Sequence, residues 1–140
     1  MTPTEIRNRV SSLCSVRGFT AAQTPFSFEL QPSGQIDQVY RLEMASGSVL
    51  GHFNFSEERT DLLTIWIARK YAGWAEDTYL LLQADAETLR AAVIRDGASV
   101  SGEYMVPNDG FDLTIQREPG QSFAVLQLVL PVNYEYTLEE

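Results

Sequence analysis

The sequence predicts an α+β fold: a mainly antiparallel sheet with an N-terminal helix and one long central helix packed on it. Two periodicities support this prediction. Apolar residues recur at helical spacing near the N-terminus and again after Gly73, whereas apolar and polar residues alternate in most of the other segments. No internal repeat or linker-like stretch interrupts the pattern, so residues 1–140 are expected to form a single domain.

The first helix is predicted from Pro3 to Arg17. Thr2 is a suitable N-cap residue, Pro3 suits the first helical position, and Glu5 completes a Thr-x-x-Glu capping box. Gly18 can end the helix in a left-handed conformation. Apolar residues at helical spacing are expected to face the core, namely Ile6, Val10 and Leu13.

Four strands are predicted between the two helices, at Phe26–Leu30, Val39–Met44, His52–Phe55 and Thr60–Arg69. The turn-forming stretches Pro32–Gly34 and Ala45–Ser48 separate the first three. Thr60–Arg69 has apolar residues on both faces, which indicates an inner strand or one whose second face meets helices or a partner. Trp66 lies on one of these faces. The opposite face carries Leu63, Ile65 and Ile67.

The second helix is predicted from Ala75 to Arg95. Glu76 and Asp77 suit its positively polarised first turn, and Asp96-Gly97 is the predicted end. A continuous apolar stripe over about five turns supports the assignment. Its members are Ala75, Tyr79, Leu82, Ala86, Leu89 and Val93.

The remaining residues are predicted to form a hairpin and a terminal strand. The hairpin strands are Val100–Val106 and Phe111–Gln116. Pro107–Gly110 joins them, because Asn, Asp and Gly tolerate positive φ. A second turn at Glu118–Gln121 leads to the strand Phe123–Tyr136. Its even-numbered residues form a uniformly apolar face, which makes this strand the clearest feature of the sequence.

Composition and charge argue against several classes of function. The formal charge of −9 arises from 19 acidic and 10 basic residues, with a single lysine, which argues against direct binding of nucleic acid. The sequence has no 18-residue apolar run, and its N-terminus lacks the features of a signal peptide, so folding in a cytosol is expected. Cys14 is the single cysteine, which excludes an internal disulfide.

The residues that could act in catalysis or bind a metal do not form a catalytic pattern. A nucleophilic Cys14 would need an exposed, electropositive setting and His52 as its base, and the spacing favours a core-facing cysteine. His52 has no second His or Cys partner for a zinc site. The acidic residues are interpreted as solvated loop and turn charges, namely Glu57, Glu58, Asp61, Asp109 and Asp112. We therefore predict no catalytic, cofactor or metal site, and no enzyme.

Aromatic residues give the candidate interface positions, which are Trp66, Trp74, Phe111 and Tyr136. Trp and Tyr are enriched where subunits meet. The alternative is that the Trp and Tyr residues pack in a two-faced core. We expect that outcome for at least two among Trp66, Trp74, Tyr134 and Tyr136.

The order of elements resembles that of the tail terminator proteins of long-tailed bacteriophages, and of related neck and tail-completion proteins. The resemblance spans nearly the whole chain. It is carried by Leu63–Ile67, by the predicted helix Ala75–Arg95, and by the run from Leu126 to Tyr134. It implies a structural virion protein that forms a hexameric ring on the head-proximal end of the tail tube. Such a ring stops tube polymerisation and offers a docking surface to the head.

The resemblance also implies partners. These are further copies of the chain, the tail tube protein and the connector or neck proteins at the head–tail junction. DNA would pass through the ring without specific binding, and an acidic surface would help by repulsion. The family supplies no catalytic residues and no cofactor.

Two other interpretations stay open. The first is a monomeric acidic α+β domain that recognises a basic protein partner or another small or peptide ligand. The second is a small hydrolase, which requires that Cys14 or His52 be accessible to a modifying reagent in the folded state.

Overall fold

The computed structural model describes residues 2–22, 37–53, 55–99, 104–107, 112–116 and 123–137. Within these ranges the chain forms two helices and a six-stranded, mostly antiparallel sheet, which confirms the predicted α+β class. The elements are α1 (Pro3–Val16), β1 (Thr20–Ala21), β2 (Val39–Phe53), β3 (Ser56–Lys70), α2 (Ala75–Ser99), β4 (Tyr104–Met105), β5 (Asp112–Gln116) and β6 (Phe123–Thr137).

The sheet is built around one long ribbon of β2, β3 and β6. The strand order is β1-β2-β3-β6-β4, with β5 also paired to β6 and β1 parallel to β2. β3 and β6 pair without interruption from Ser56↔Thr137 to Lys70↔Phe123. Fifteen paired residues span fourteen steps of about 3.3 Å, so this ribbon is about 46 Å long. β3 is an inner strand, as predicted.

Helix α1 forms as the sequence indicates. The Glu5 amide donates to Thr2 Oγ1 at 3.2 Å, and Pro3 occupies the first turn. The helix ends at Val16, and Gly18 follows with φ of +88°. Its buried residues are Ile6, Val10 and Cys14.

Helix α2 is longer than predicted, because it continues through Asp96-Gly97 to Ser99. The Asp96 carboxylate accepts two bonds from the Arg9 guanidinium, at 2.8 and 2.9 Å, and one from the Tyr104 hydroxyl. Gly97 is buried, and a Cβ there would lie 2.7 Å from the Tyr104 carbonyl oxygen. Gly97 therefore allows β4 to pack closely against the helix, and it does not end the helix.

The predicted turn at Ala45–Ser48 and the separate strand at His52–Phe55 are wrong. Ala45–Ser48 and His52–Phe53 lie within β2, which pairs with β3 and has register shifts at Ala45/Ser48 and Val49/Gly51. These irregularities are β-bulges, which insert residues with turn-like character into a continuous strand. The predicted strand Phe26–Leu30 and turn Pro32–Gly34 lie outside the described residues.

The predicted hairpin between Val100–Val106 and Phe111–Gln116 is also wrong. β4 and β5 each pair antiparallel to β6, through Tyr104↔Tyr134 and Asp112↔Val129. They follow one another along one edge of β6, so together they form an interrupted edge strand. The turn at Glu118–Gln121 lies beyond the residues that the structure describes.

The helices cover one face of the sheet. Alternate residues of β6, from Ala124 to Tyr134, are buried in the main core, as the alternation predicted. They meet aliphatic residues of β3 and both helices, including Leu63, Ile65, Ile67, Val10, Leu82 and Leu89. On the opposite face Val39, Trp66 and Ala68 form a smaller cluster, to which no described helical residue belongs.

Candidate assembly surfaces

The three long strands continue beyond the helix-covered core at one end of the sheet. This extension, called the arm, consists of Ser48–Phe53 of β2, Ser56–Arg59 of β3 and Glu135–Thr137 of β6. Full burial on the helix side stops at Asp61 in β3 and at Tyr134 in β6. Among its described residues the arm therefore holds no fully buried side chain, and Tyr136 packs against the main core only partly buried.

A buried carboxylate fixes the base of the arm. Asp61 is 5% exposed. It accepts hydrogen bonds from the Tyr134 hydroxyl at 2.6 Å and from the Gly47 amide at 3.2 Å. Burial, together with the bond to Asp61, raises the pKa of Tyr134 to about 12. The interpretation of Asp61 as a solvated loop charge is wrong, because this carboxylate joins β2, β3 and β6.

Polar and aromatic contacts order the arm itself. The Arg59 guanidinium lies 3.9 Å from the centre of the Tyr136 ring and donates to Glu57 at 2.9 Å. Glu57 and Glu58 belong to β3, so the prediction that they lie in a loop is wrong. Three apolar side chains remain more than half exposed: Val49 and Leu50 near the base of the arm, and Phe55 in the turn at its tip.

A groove of about 640 Å³ crosses the sheet between the arm, the C-terminal end of α2 and β4. Its apolar lining is Leu50, Ile94, Ala98, Met105, Val106 and Pro107. Its charged lining residues are Glu58, Glu135 and Arg59, and the Arg59 guanidinium donates to Glu57. The groove therefore combines exposed aliphatic surface with a net negative set of charged residues.

The other end of the sheet presents a second apolar surface. Trp74, in the short connection between β3 and α2, is 81% exposed. Leu80 and Leu81, in the first turns of α2, are 64% and 49% exposed. We call these three residues the Trp74 patch. Gly73 precedes it with φ of +68°, a conformation that favours glycine.

The elements that carry the Trp74 patch are tied to each other. The Arg69 guanidinium of β3 donates two hydrogen bonds to Asp85 of α2, one of them at 3.0 Å. The Tyr71 and Tyr79 rings pack edge to face, with their centres 6.1 Å apart. The patch is thus presented from a fixed junction.

The structure separates the predicted interface residues. Trp66 lies mid-strand and is 9% exposed, with the Arg41 guanidinium 3.6 Å from its ring centre. Trp74 follows one end of β3, whereas Tyr136 pairs with Glu57 near the other end. Phe111 lies outside the described residues. The proposed interface role of these residues stays a prediction, and the exposures favour Trp74 as an accessible anchor over Trp66.

Several exposed apolar residues were not singled out from the sequence. A signal existed for Leu80 and Leu81, because Tyr79–Leu82 is a run of four apolar residues and a helix cannot turn all four toward one core. Val49 and Leu50 gave a weaker signal, since they directly follow a stretch interpreted as a turn. Met105 alternates with buried Tyr104 and Val106, and this places it on the other face.

Of the two candidates for chemistry, only the side chain of Cys14 is described. Cys14 is buried, as predicted, and burial raises its pKa to about 12, so the thiol stays protonated at neutral pH. His52 lies in β2, and its side chain lies outside the described part of the structure. Among the residues that are described, no group of three or more His, Cys, Asp or Glu could hold a metal ion. No described helix is long and apolar enough to cross a membrane.

No protein-family model matches the chain, and no curated protein sequence matches it.

Proposed function

We propose that this chain is a structural subunit of a bacteriophage tail, which forms a hexameric ring at the head-proximal end of the tail tube. The observation that carries the proposal is the presence of two different exposed apolar surfaces at opposite ends of the sheet. These are the groove beside the arm and the Trp74 patch. The resemblance in element order supplies the tail context.

Two unlike surfaces favour ring formation over a symmetric dimer. A two-fold dimer uses the same surface on both subunits, whereas a head-to-tail contact joins two different surfaces and closes into a ring when the rotation allows it. The ribbon that separates the two surfaces is about 46 Å long. One subunit can therefore contact two neighbours simultaneously.

The charge of the chain suits a ring through which DNA passes. Each copy carries a formal charge of −9, and only 10 of its residues are Lys or Arg. A surface of this kind repels phosphate groups, so DNA would cross the ring without being held. The ring would end tube growth because one face fits the tube and the other does not template a further layer.

Native mass spectrometry of the full-length chain, with negative-stain imaging of the same sample, tests this proposal. Hexamers that image as rings with a central hole are the expected result. A compact monomer at every concentration would overturn the ring. It would favour the alternative of a monomeric acidic domain, with Glu58 and Glu135 in the groove meeting a basic protein partner.

A further inference from the structure

We infer that Trp74 of one copy inserts into the groove beside the arm of the next copy. This inference rests on the proposed ring and names its contact. It assigns the two surfaces to each other, so that each subunit offers one anchor and one receptor.

The anchor has the properties of an interface hot spot. Trp74 is 81% exposed, and a tryptophan side chain buries on the order of 150–250 Å² when it docks. Tryptophan is enriched among the few residues that dominate binding energy, and such residues fill pockets. Leu80 and Leu81 would extend the contact around the indole.

The receptor is large enough for the anchor and is apolar like it. The groove encloses about 640 Å³ and is lined by Leu50 and Met105, each 58% exposed. These side chains would be covered by an inserted indole. Because the groove is walled by α2 and β4 as well as by the arm, the contact would also support the arm.

The charged residues around Trp74 and in the groove specify how the inserted copy is oriented. Lys70, the only lysine of the sequence, is exposed and lies four positions before Trp74. Glu58, Glu135 and Arg59 are the charged residues of the groove, and Arg59 is paired with Glu57, so Lys70 of the inserted copy would meet a net negative surface. Glu76 and Asp77 follow Trp74 in the first turn of α2, and the docked orientation must turn them outward.

The occupant must come from a second copy. Trp74 follows the Lys70 end of β3, whereas Glu58 and Arg59 of the groove lie near its Ser56 end. Eleven residues of strand separate Lys70 from Arg59, which is about 36 Å. A chain cannot place its own Trp74 in its own groove without unfolding the sheet.

Cysteine cross-linking tests the contact directly. Cys14 is buried with a raised pKa, so it gives little background reaction with a maleimide. The double variant Leu81→Cys/Met105→Cys keeps Trp74 and places one cysteine in the Trp74 patch and one in the groove; treated with a bismaleimide, it should give a covalent ladder up to the hexamer. Each single variant should stay at the monomer position, because neither two Trp74 patches nor two grooves face each other.

A mixing experiment provides an independent readout. Trp74→Ala and Met105→Glu should each lose the ring, with contact affinity at least tenfold weaker, while circular dichroism remains that of the wild type. A mixture of the two variants should form one-to-one dimers and nothing larger, since one intact anchor meets one intact receptor.

The outcomes separate the inference from the proposed function. Wild-type rings with no ladder from the double variant, or rings that persist in Trp74→Ala, would overturn the inference and leave the ring standing. A ladder that stops at the dimer in either single variant would also overturn it, by showing a symmetric contact. A monomeric wild type would overturn the proposed function itself.

Discussion

The same three strands behave differently at their two ends. In the core half, β3 and β6 bury alternate residues under both helices, including Ile65, Ile67, Leu126 and Leu128, which are fully buried. In the arm, the same strands carry Glu57, Arg59 and Tyr136, and their contacts are ionic and cation–π. Backbone pairing is continuous through both halves.

This difference shows that pairing alone does not assign a role to a strand. The core half gains its stability from apolar burial, which dominates folding free energy. The arm keeps apolar side chains in solvent, and such patches mark interaction sites more often than single exposed residues do. Folding therefore depends on the core half, whereas the proposed ring would depend on the arm and the Trp74 patch, and substitutions should separate the two.

A matched pair of leucines in α2 should show the largest contrast in stability. Leu89 is fully buried, whereas Leu80 is 64% exposed. Leu89→Ala should lower the free energy of unfolding by about 2–5 kcal/mol, because it loses burial and leaves a cavity. Leu80→Ala should change it by less than about 0.5 kcal/mol. Urea denaturation measures both, and equal losses would contradict the division.

The bulge at the base of the arm should be sensitive to an added methyl group. A Cβ at Gly47 would lie 1.7 Å from the Thr60 carbonyl oxygen, whereas one at Gly51 would lie 3.6 Å from the Glu58 carboxylate. Gly47→Ala should therefore cost about 1–3 kcal/mol, or more. Gly51→Ala is the control, and its free energy of unfolding should lie within about 0.5 kcal/mol of that of the wild type. A neutral Gly47→Ala would show that the bulge relaxes.

Removing the Tyr134 hydroxyl should lower the free energy of unfolding by a smaller amount at neutral pH. Tyr134→Phe takes one of two bonds from the buried Asp61 carboxylate and should cost about 1–3 kcal/mol. Thermal unfolding at pH 7 measures this loss. Ser11, which bonds to the Tyr40 hydroxyl at the α1–β2 contact, offers a control variant, Ser11→Ala, outside the arm.

The Tyr134 hydroxyl also makes the stability of the fold depend on pH in the alkaline range. The pKa of Tyr134 is raised to about 12 in the folded chain, from about 10 in the unfolded chain. The unfolded state thus loses its proton first, and stability is present below pH 10 and falls as pH rises toward 12. Tyr134→Phe should show a shallower decline over this interval. If stability fell equally steeply with pH in the wild type and in Tyr134→Phe, the decline would not come from Tyr134.

The smallest effect on stability is expected for an exposed apolar residue of the arm. Leu50→Ser removes an aliphatic side chain that is 58% exposed, and the free energy of unfolding should change by less than about 0.5 kcal/mol. Ring formation should nevertheless weaken, since Leu50 lines the groove. A variant that is strongly destabilised would show that Leu50 supports the fold.

Much of the fold was predictable because local signals agree with it. The capping residues Thr2, Pro3 and Glu5 define the start of α1, and the alternation in Phe123–Tyr136 defines β6 and its buried face. Helix periodicity places α2 within four residues at its C-terminal end. Cys14 was correctly expected to face the core.

The errors share one physical cause. Residues with turn or helix-ending character were used inside continuous elements, where tertiary contacts override local preference. Gly47 allows a bulge against Thr60, and Gly97 allows close approach of Tyr104 to α2. The pairing of β4 and β5 with β6 depends on contacts distant in sequence, which no local pattern specifies.

The candidate assembly surfaces were only partly predictable. Trp74 was named from its chemistry and is exposed, but the groove combines residues of β2, β3, α2, β4 and β6. Such a set cannot be assembled without the topology. Asp61 was misassigned for the same reason, because its partners Gly47 and Tyr134 come from two other strands.

Hydrogen–deuterium exchange offers the most direct test of the division between core and arm. Exchange would be compared between the assembled wild-type chain and a Trp74→Ala monomer. We expect assembly to slow exchange in residues 48–53, 56–59 and 135–137 and around the Trp74 patch, with little change in the core half of β3 and β6. Unchanged exchange in the arm, with protection gained in the core half, would contradict the account.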